Sequence, residues 1–431
     1  MEFPDRIDYR MEGSTFTPPR MFHARQLFES RKLVAVGDEV RRQFARLPLP
    51  DLTGKRVCLT GSSRGIADQA LILAAAASFL KERGALPFLV PAMGSHGGAT
   101  PDGQTGVLAG YGIREETVGM PIFSGMDVVK LGNTASGFPV YCDAFAAAAD
   151  FILPINRVKT HSEFKGPIES GLCKIMVIGL GKHKGCSAMH ALGVGVFTDL
   201  IPEAAGVFLA SGKILAGLAV VENAFDETML VEAILPEHII PREKALLEIA
   251  KNAQPRFYTS RIDVLIIEEI GKDIGGGGMD TNITGRPGSG LPGFSACPIR
   301  RIVVLNISER SHGNGSGMGT ADVVTVDFMK QLDLGATYTN HFASRIIDGG
   351  HIPIVANTDH DAIRIAAHCC EVADPSAIRY VQLTNTLCMS DILLSESYLP
   401  EVTCDPRFRI LSTPKPMHFT ANRNLERLPR A

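Results

Sequence analysis

The stretch RVCLTGSSRGIADQALILAAAASFLKERG, residues 56–84, decides the fold. RVCLTG (56–61) is a short apolar run that ends in a glycine turn, the pattern of a buried strand. IADQALILAAAASFLKERG (66–84) is rich in alanine and leucine, residues that lose little freedom in a helix, and it stops at Gly84. A second apolar run, LPFLVPAMG (86–94), follows at once. Strand, turn, helix and strand form the unit from which parallel sheets are built, and such sheets gather ligands at the carboxyl ends of their strands. With DFILPINRVK (150–159) read as a further strand, those ends carry the segments SSRG, GSHGG and RVKTH.

Outward from this unit the same grammar continues. ILAGLAVVENAFDETMLVEAILP (214–236) holds two apolar runs about a polar turn and reads as a hairpin, and PREKALLEIAKNA (241–253) reads as an amphipathic helix. A new buried strand, IDVLIIEEIG (262–271), follows Pro255. IRRIVVLNIS (299–308), TADVVTVDFMKQLD (320–333) and RYVQLTNT (379–386) then repeat the α/β pattern. The expected architecture is α/β in two domains, 1–255 and 256–431, each a mainly parallel or mixed sheet flanked by helices, with the active site in the cleft between them. Residues 271–319 are dense in Gly, Ser and Pro, and a loop of that length in a compact domain is usually functional.

Composition narrows the class of function. A formal net charge of -3 with no basic stretch argues against nucleic acid, so the expected partner is a small molecule. The 9 cysteines are scattered without a Cys-x-x-Cys pair, as in a reducing compartment. MEFPDRIDYR has no apolar segment of the export type, and the longest apolar run, residues 70–80, falls short of the ~18 residues that span a bilayer. A cytoplasmic protein without a membrane partner is the expectation.

LTGSSRGIA (59–67) also resembles the nucleotide turn of short-chain dehydrogenases, which makes an NAD(P)-dependent oxidoreductase one alternative. Ala67 stands where that fingerprint has its last glycine, and none of the 7 tyrosines is followed by Lys at the fourth position, which that chemistry needs as its acid. The turn is still suited to phosphate, because glycine lets backbone N–H groups approach and the following helix adds partial positive charge. Ser62, Ser63, Arg64 and Gly65 are the candidate cofactor-binding residues, with Arg64 as the charged partner.

NRVKTHSEFKGPIESGLCKIMVIGLGKHKGCSAMH (156–190) concentrates lysines and histidines. Most suit a solvated face. Lys174 differs because it sits inside the apolar run GLCKIMVIGLG, where an ammonium must find an anion or form a covalent bond. Arg64 after a strand, His96 in GSHGG, His161 in KTHSEF, Lys174, and His190 sixteen residues later together resemble the N-terminal half of the lactate racemase family. That resemblance implies a nickel-pincer nucleotide, a pyridinium mononucleotide joined covalently through Lys174, with His190 as the protein's ligand to nickel. It implies His96 and His161 as the catalytic acid and base, with Arg64 on phosphate or substrate carboxylate. The implied activity is racemisation or epimerisation of a 2-hydroxy acid by reversible hydride transfer. Imidazole titrates near ~6.5 in water, which suits moving a hydroxyl proton at neutral pH, and sulfur with nitrogen donors suits square-planar Ni(II).

The departures concern substrate. Where the lactate enzymes have Tyr-Pro-x-Asp followed by Gln and Lys, this chain reads IGKDIGGGGMDTNITGR (270–286), keeping Lys272-Asp273 but not the Gln and Lys. The expected substrate is therefore a hydroxy acid other than lactate, with Lys272, Asp280, Asn282 and Arg286 as candidate contacts. The same loss motivates a second alternative, a non-catalytic nucleotide- or metal-binding homologue. The later histidines show no metal-ligand spacing; His312 and His341 lie on segments able to face a site.

Overall fold

The structure is a computed structural model that describes residues 3–11, 16–63, 65–294 and 296–428. It divides into two compact units, residues 29–254 and residues 1–28 with 255–431. The first strand, β1 (Arg20–Gln26), therefore belongs with the later unit, whereas the sequence had grouped it with the residues that follow it. Its pairing partners lie so far along the chain that no local pattern announces them.

In residues 29–254 the strands are β2 (Arg56–Gly61), β3 (Leu86–Pro91), β4 (Val128–Asn133), β5 (Pro139–Asp143), β6 (Phe151–Leu153), β7 (Ile155–Arg157), β8 (Gly217–Glu222) and β9 (Thr228–Ile234). They form a parallel sheet in the order β3-β2-β6, an antiparallel pair β4-β5, and a sheet β7-β8-β9. β2 is central, and every residue after Arg56 is buried, which explains its continuous apolar run. The helix Gln69–Glu82 buries Ile72, Leu73, Ala76, Phe79 and Leu80, and its alanines allow close packing. Helix Val36–Ala45 adds Val40 and Phe44 to the same core, with Phe44 stacked on Phe79 at 5.4 Å.

One expected strand is two. Pro154 has no N–H to continue a ladder, and the chain changes sheets there: β6 pairs with β2, and β7 pairs with β8. The Thr60 hydroxyl spans the step, accepting the Ile155 N–H at 2.8 Å and donating to the Ile155 carbonyl at 3.1 Å. This places the start of β7 beside the carboxyl end of β2, which lies next to the carboxyl end of β3. The expected hairpin is β8 and β9, in register Val220↔Val231.

The other unit holds β1, β10 (Ile262–Ile270), β11 (Ile299–Ile307), β12 (Val323–Thr325), β13 (Ile354–Ala356), β14 (Tyr380–Leu383), β15 (Asp391–Ser395), β16 (Phe408–Ile410) and β17 (Lys415–Pro416). Its sheet runs β13-β12-β11-β10-β14-β15-β1-β16, with β17 on β1. The segment from β13 to β14 is parallel, and β15, β1, β16 and β17 are antiparallel. Alternate residues of β10 enter two cores, Leu265 and Ile267 on one face, Val264 and Ile266 on the other. The protein is thus α/β, with several sheets flanked by helices. Among the described residues no single helix is long and apolar enough to cross a membrane.

Candidate functional site in residues 29–254

After β2 the chain turns through Ser62, Ser63 and Gly65; Arg64 lies outside the described residues. Ser62 is buried and accepts a hydrogen bond from Gln69 Nε2 at 3.1 Å. The Ser63 hydroxyl bonds to His96 Nδ1 and so joins the β2 turn to the β3 turn. Gly65 lies under Tyr111, whose ring carbon would be 2.9 Å from an added Cβ. The Ala67 N–H is taken by Glu222 Oε1 at 2.7 Å, and Glu222 is ion-paired to Arg157. Packing against Tyr111 therefore accounts for the glycine in this turn.

His96 follows β3 on an exposed loop that packs against two helical segments. Gly94, with φ +59°, has the Ile178 carbonyl 3.2 Å and the Cys186 side chain 3.3 Å from where a Cβ would stand. Ser95, the next residue, lowers the Cys186 thiol's pKa. The His96 loop is thus pressed onto the segment that carries the other predicted residues.

That segment begins with the turn Leu172–Lys174, continues as the π-helix Ile175–Gly179, and after a break becomes the helix Lys182–His190. Wide π-turns are rare and often mark functional positions. Gly179 permits close contact with the end of β3, since Ala92 O would lie 2.6 Å from its Cβ. The turn is capped from a distant helix, Ile239–Ala253: Glu243 Oε2 accepts the Cys173 N–H at 2.9 Å. Glu243 is buried, and its Oε1 has no partner among the described residues. Burial pushes its pKa up to about 7, against the backbone and side-chain hydrogen bonds of Cys173 and the backbone of Leu172.

His190 ends its helix beside Cys186, one turn earlier. Its Nδ1 is 2.8 Å from the Cys186 carbonyl and 3.5 Å from the Cys186 thiol. A carbonyl can only accept, so the neutral ring carries its proton on Nδ1 and its lone pair on Nε2. Burial acts to lower the His190 pKa, yet the hydrogen bond and charge of Cys186 outweigh it and leave the pKa raised; the Lys174 charge also opposes protonation. The Cys186 thiol is the counterpart: burial raises its pKa, but His190 and Ser95 leave it below its ordinary value. The Lys174 charge is the weakest of these influences on His190.

His161 joins them through aromatic contacts. Its ring lies 4.4 Å from Phe164, Phe164 is 5.6 Å from Phe197, and Phe197 meets the edge of His190 at 5.0 Å. The Glu163 N–H donates to His161 Nδ1 at 3.1 Å, so neutral His161 keeps its proton on Nε2, the opposite tautomer from His190. The backbone beneath is fixed by buried Glu169, which accepts the His161 N–H at 2.7 Å and pairs with Lys165 at 3.0 Å. His96, His161, Lys174, His190, Ser62 and Ser63 all belong to the unit of residues 29–254; Ser63 bonds His96, and a relay of aromatic rings links His161 to His190.

The structure differs from the sequence reading in which lysine is enclosed. Lys174 is partly exposed, and Lys182 is the one with 0% exposure. Residues 172–179 are helical, so neighbouring positions face different directions and an apolar run does not enclose each member equally. Sequence reasoning passed over Lys182 as a surface charge, and passed over Cys186, Glu243, Phe164 and Phe197. Only Cys186 left a readable signal, because it stands four residues before His190 on a helix and so shares its face.

The other candidates belong to the other unit. Lys272 Nζ donates to Gly276 O at 2.6 Å. Asp280 caps the short helix Thr281–Thr284 and accepts from both the backbone and the side chain of Asn282 at 2.8 Å. Arg286 pairs with Asp322 at 2.6 Å and donates to the carbonyls of Thr320, Ile299 and Arg300, a bonding pattern that pins its loop to the sheet. His312 is exposed. His341 is buried, with Nδ1 bonded to Ile346 O at 2.7 Å.

Among the described residues no group of three or more His, Cys, Asp and Glu side chains could hold a metal ion by itself. No family model matches the chain. No curated protein matches its sequence. Among solved structures, the chain is similar to the lactate racemase apoprotein from Thermoanaerobacterium thermosaccharolyticum, with a TM-score of 0.49 and 14% sequence identity over 81% of this chain and 94% of that chain.

Proposed function

We propose that the protein is a racemase or epimerase of a 2-hydroxy acid other than lactate, working by reversible hydride transfer with a nickel-pincer nucleotide held on Lys174. What supports this reading is that three imidazoles and one lysine lie on segments of one unit that are linked by chains of contacts. His190 is linked to His161 through Phe197 and Phe164 and to the His96 loop through Cys186, which packs against Gly94, and the Lys174 charge acts on it. The residues fit the cofactor. Lys174 is partly exposed, and His190 offers an Nε2 lone pair, the donor a nickel ion needs from a protein when its remaining donors come with the nucleotide. When bound, the cofactor supplies an electron-poor ring able to take and return the α-hydrogen as hydride.

The chain's own part is proton handling and orientation. Removal of a hydroxyl proton needs an imidazole lone pair turned toward substrate. His161 in its resting tautomer has a proton on Nε2 and so serves as hydrogen-bond donor there. His96 serves as base when its Nδ1–H is held by Ser63, which leaves the lone pair on its Nε2. Two imidazoles of opposite starting state can serve both stereoisomers by exchanging roles. A small hydroxy acid is the proposed partner.

The test is intact-mass measurement on protein made in a host that synthesises the cofactor. The wild type should carry a covalent adduct and bound nickel; Lys174→Ala should lose the adduct, and His190→Ala should lose nickel. Chiral chromatography of a panel of hydroxy acids and sugar acids should then show interconversion. An unmodified mass without nickel from such a host overturns the proposal.

A further inference from the structure

Lys182 is enclosed, with 0% exposure, and opens its helix at φ 52°, a left-handed backbone conformation uncommon for a side chain of this size. Such a residue persists where its surroundings overdetermine it. Three partners do so. Its Nζ donates to Pro91 O at 2.5 Å and Gln104 Oε1 at 3.0 Å, and stands 3.2 Å from Asp143 Oδ2, an ion pair by distance though without hydrogen-bond alignment. Gln104, also 0% exposed, then donates through Nε2 to Gly94 O at 2.9 Å and His96 O at 3.3 Å.

We infer that Lys182 and Gln104 are positioning residues for His96: the buried ammonium fixes which way the Gln104 amide faces, and the amide pins the loop that bears the imidazole. An ammonium has only donors, so the amide oxygen must face Lys182 and the NH2 group must face the two loop carbonyls. The loop needs the pin. Gly94, Gly97 and Gly98 all have positive φ, and glycines lose more freedom on ordering than other residues. Gly97 adds a close backbone contact, since Gly103 C would lie 2.5 Å from its Cβ. Lys182 therefore links the break before the His190 helix to the His96 loop. The role of the pin in turnover rests on the function proposed above; the pin itself does not.

The test uses the cofactor-free full chain and reads His96 directly, as its rate of modification by diethyl pyrocarbonate, located by peptide mass spectrometry. Gln104→Glu keeps an acceptor for Lys182 and removes both donors to the loop. It should raise the His96 rate about fivefold, the equivalent of one hydrogen bond of about 1 kcal/mol, and leave His23 and His418 unchanged. Gln104→Met should do the same. Unchanged His96 rates in both variants overturn the inference. Should neither variant fold, the wild type decides: the Gln104 side-chain amide protons should exchange slowly with deuterium, and exchange at the rate of an exposed amide overturns it. In cofactor-loaded enzyme, Gln104→Glu should lower kcat by a similar factor with KM unchanged, whereas equal loss of His96 modification control without any turnover in the wild type would sink the proposed reaction and leave the positioning role standing.

Discussion

His161 and His190 show how one backbone contact sets what an imidazole can do. An N–H donor at Nδ1 forces the neutral proton of His161 onto Nε2, and a carbonyl acceptor at Nδ1 forces the neutral proton of His190 to stay there. The first ring offers a donor at its far nitrogen and the second a lone pair. Nitrogen-15 NMR on histidine-labelled, cofactor-free protein, at a pH where both rings are neutral, should assign His161 as the Nε2–H tautomer and His190 as the Nδ1–H tautomer. The same tautomer in both rings would refute the assignment. None of this was legible in the sequence, which gives the identity of a histidine but not the partner of its second nitrogen.

At the scale of the element, the turn Leu172–Lys174 is too short to hold itself, and Glu243 from the helix Ile239–Ala253 supplies the missing acceptor for its N–H groups. The carboxyl group is buried there with one oxygen unpartnered, so folding favours its protonated form. Its folded pKa of about 7 lies above the 4.5 of an ordinary glutamate. The native state then binds the proton more tightly than the unfolded chain, and the contribution to stability is fully present below the lower value and lost as pH rises through the higher one. The window spans two to three pH units, on the order of 3 kcal/mol. Urea unfolding across that window should show wild-type stability falling with pH relative to Glu243→Gln, which cannot ionise; parallel curves for the two proteins would exclude this role. The elements themselves were mostly readable. Residues 56–94 announced strand, helix and strand because the apolar period changes sharply at each turn, and the β8-β9 hairpin announced itself by its polar loop. Pro154 was visible too, but a proline marks a break in pairing without saying that the two halves join different sheets. The π-turn and the Glu243 cap depend on tertiary contacts and leave no periodic trace.

At the scale of the whole molecule, residues 29–254 interrupt the other unit between its first strand and its second. β1 pairs with β15 through Phe22↔Leu394 and Ala24↔Ile392, and with β16 through Ala24↔Ile410. Closing that ladder joins positions near opposite ends of the chain, a contact of high sequence separation that forms late and costs loop entropy. It must therefore be repaid by burial. Phe22 and Ala24 are 0% exposed, and buried Gln26 donates to Met389 O at 2.8 Å while its Oε1 accepts the Tyr258 N–H at 2.9 Å. Phe22 packs in a core with Leu265, Ile267, Val381 and Leu394, whereas the core around β2 draws on none of these residues. Phe22→Ala should accordingly cost about 3–5 kcal/mol and should spend it unequally. Hydrogen exchange followed by mass spectrometry should show lost protection in peptides from β10, β14 and β15, with peptides from β2 and β3 unchanged. Equal loss in both sets would mean that the first strand supports the entire chain, and the division into separately stabilised cores would have to be abandoned.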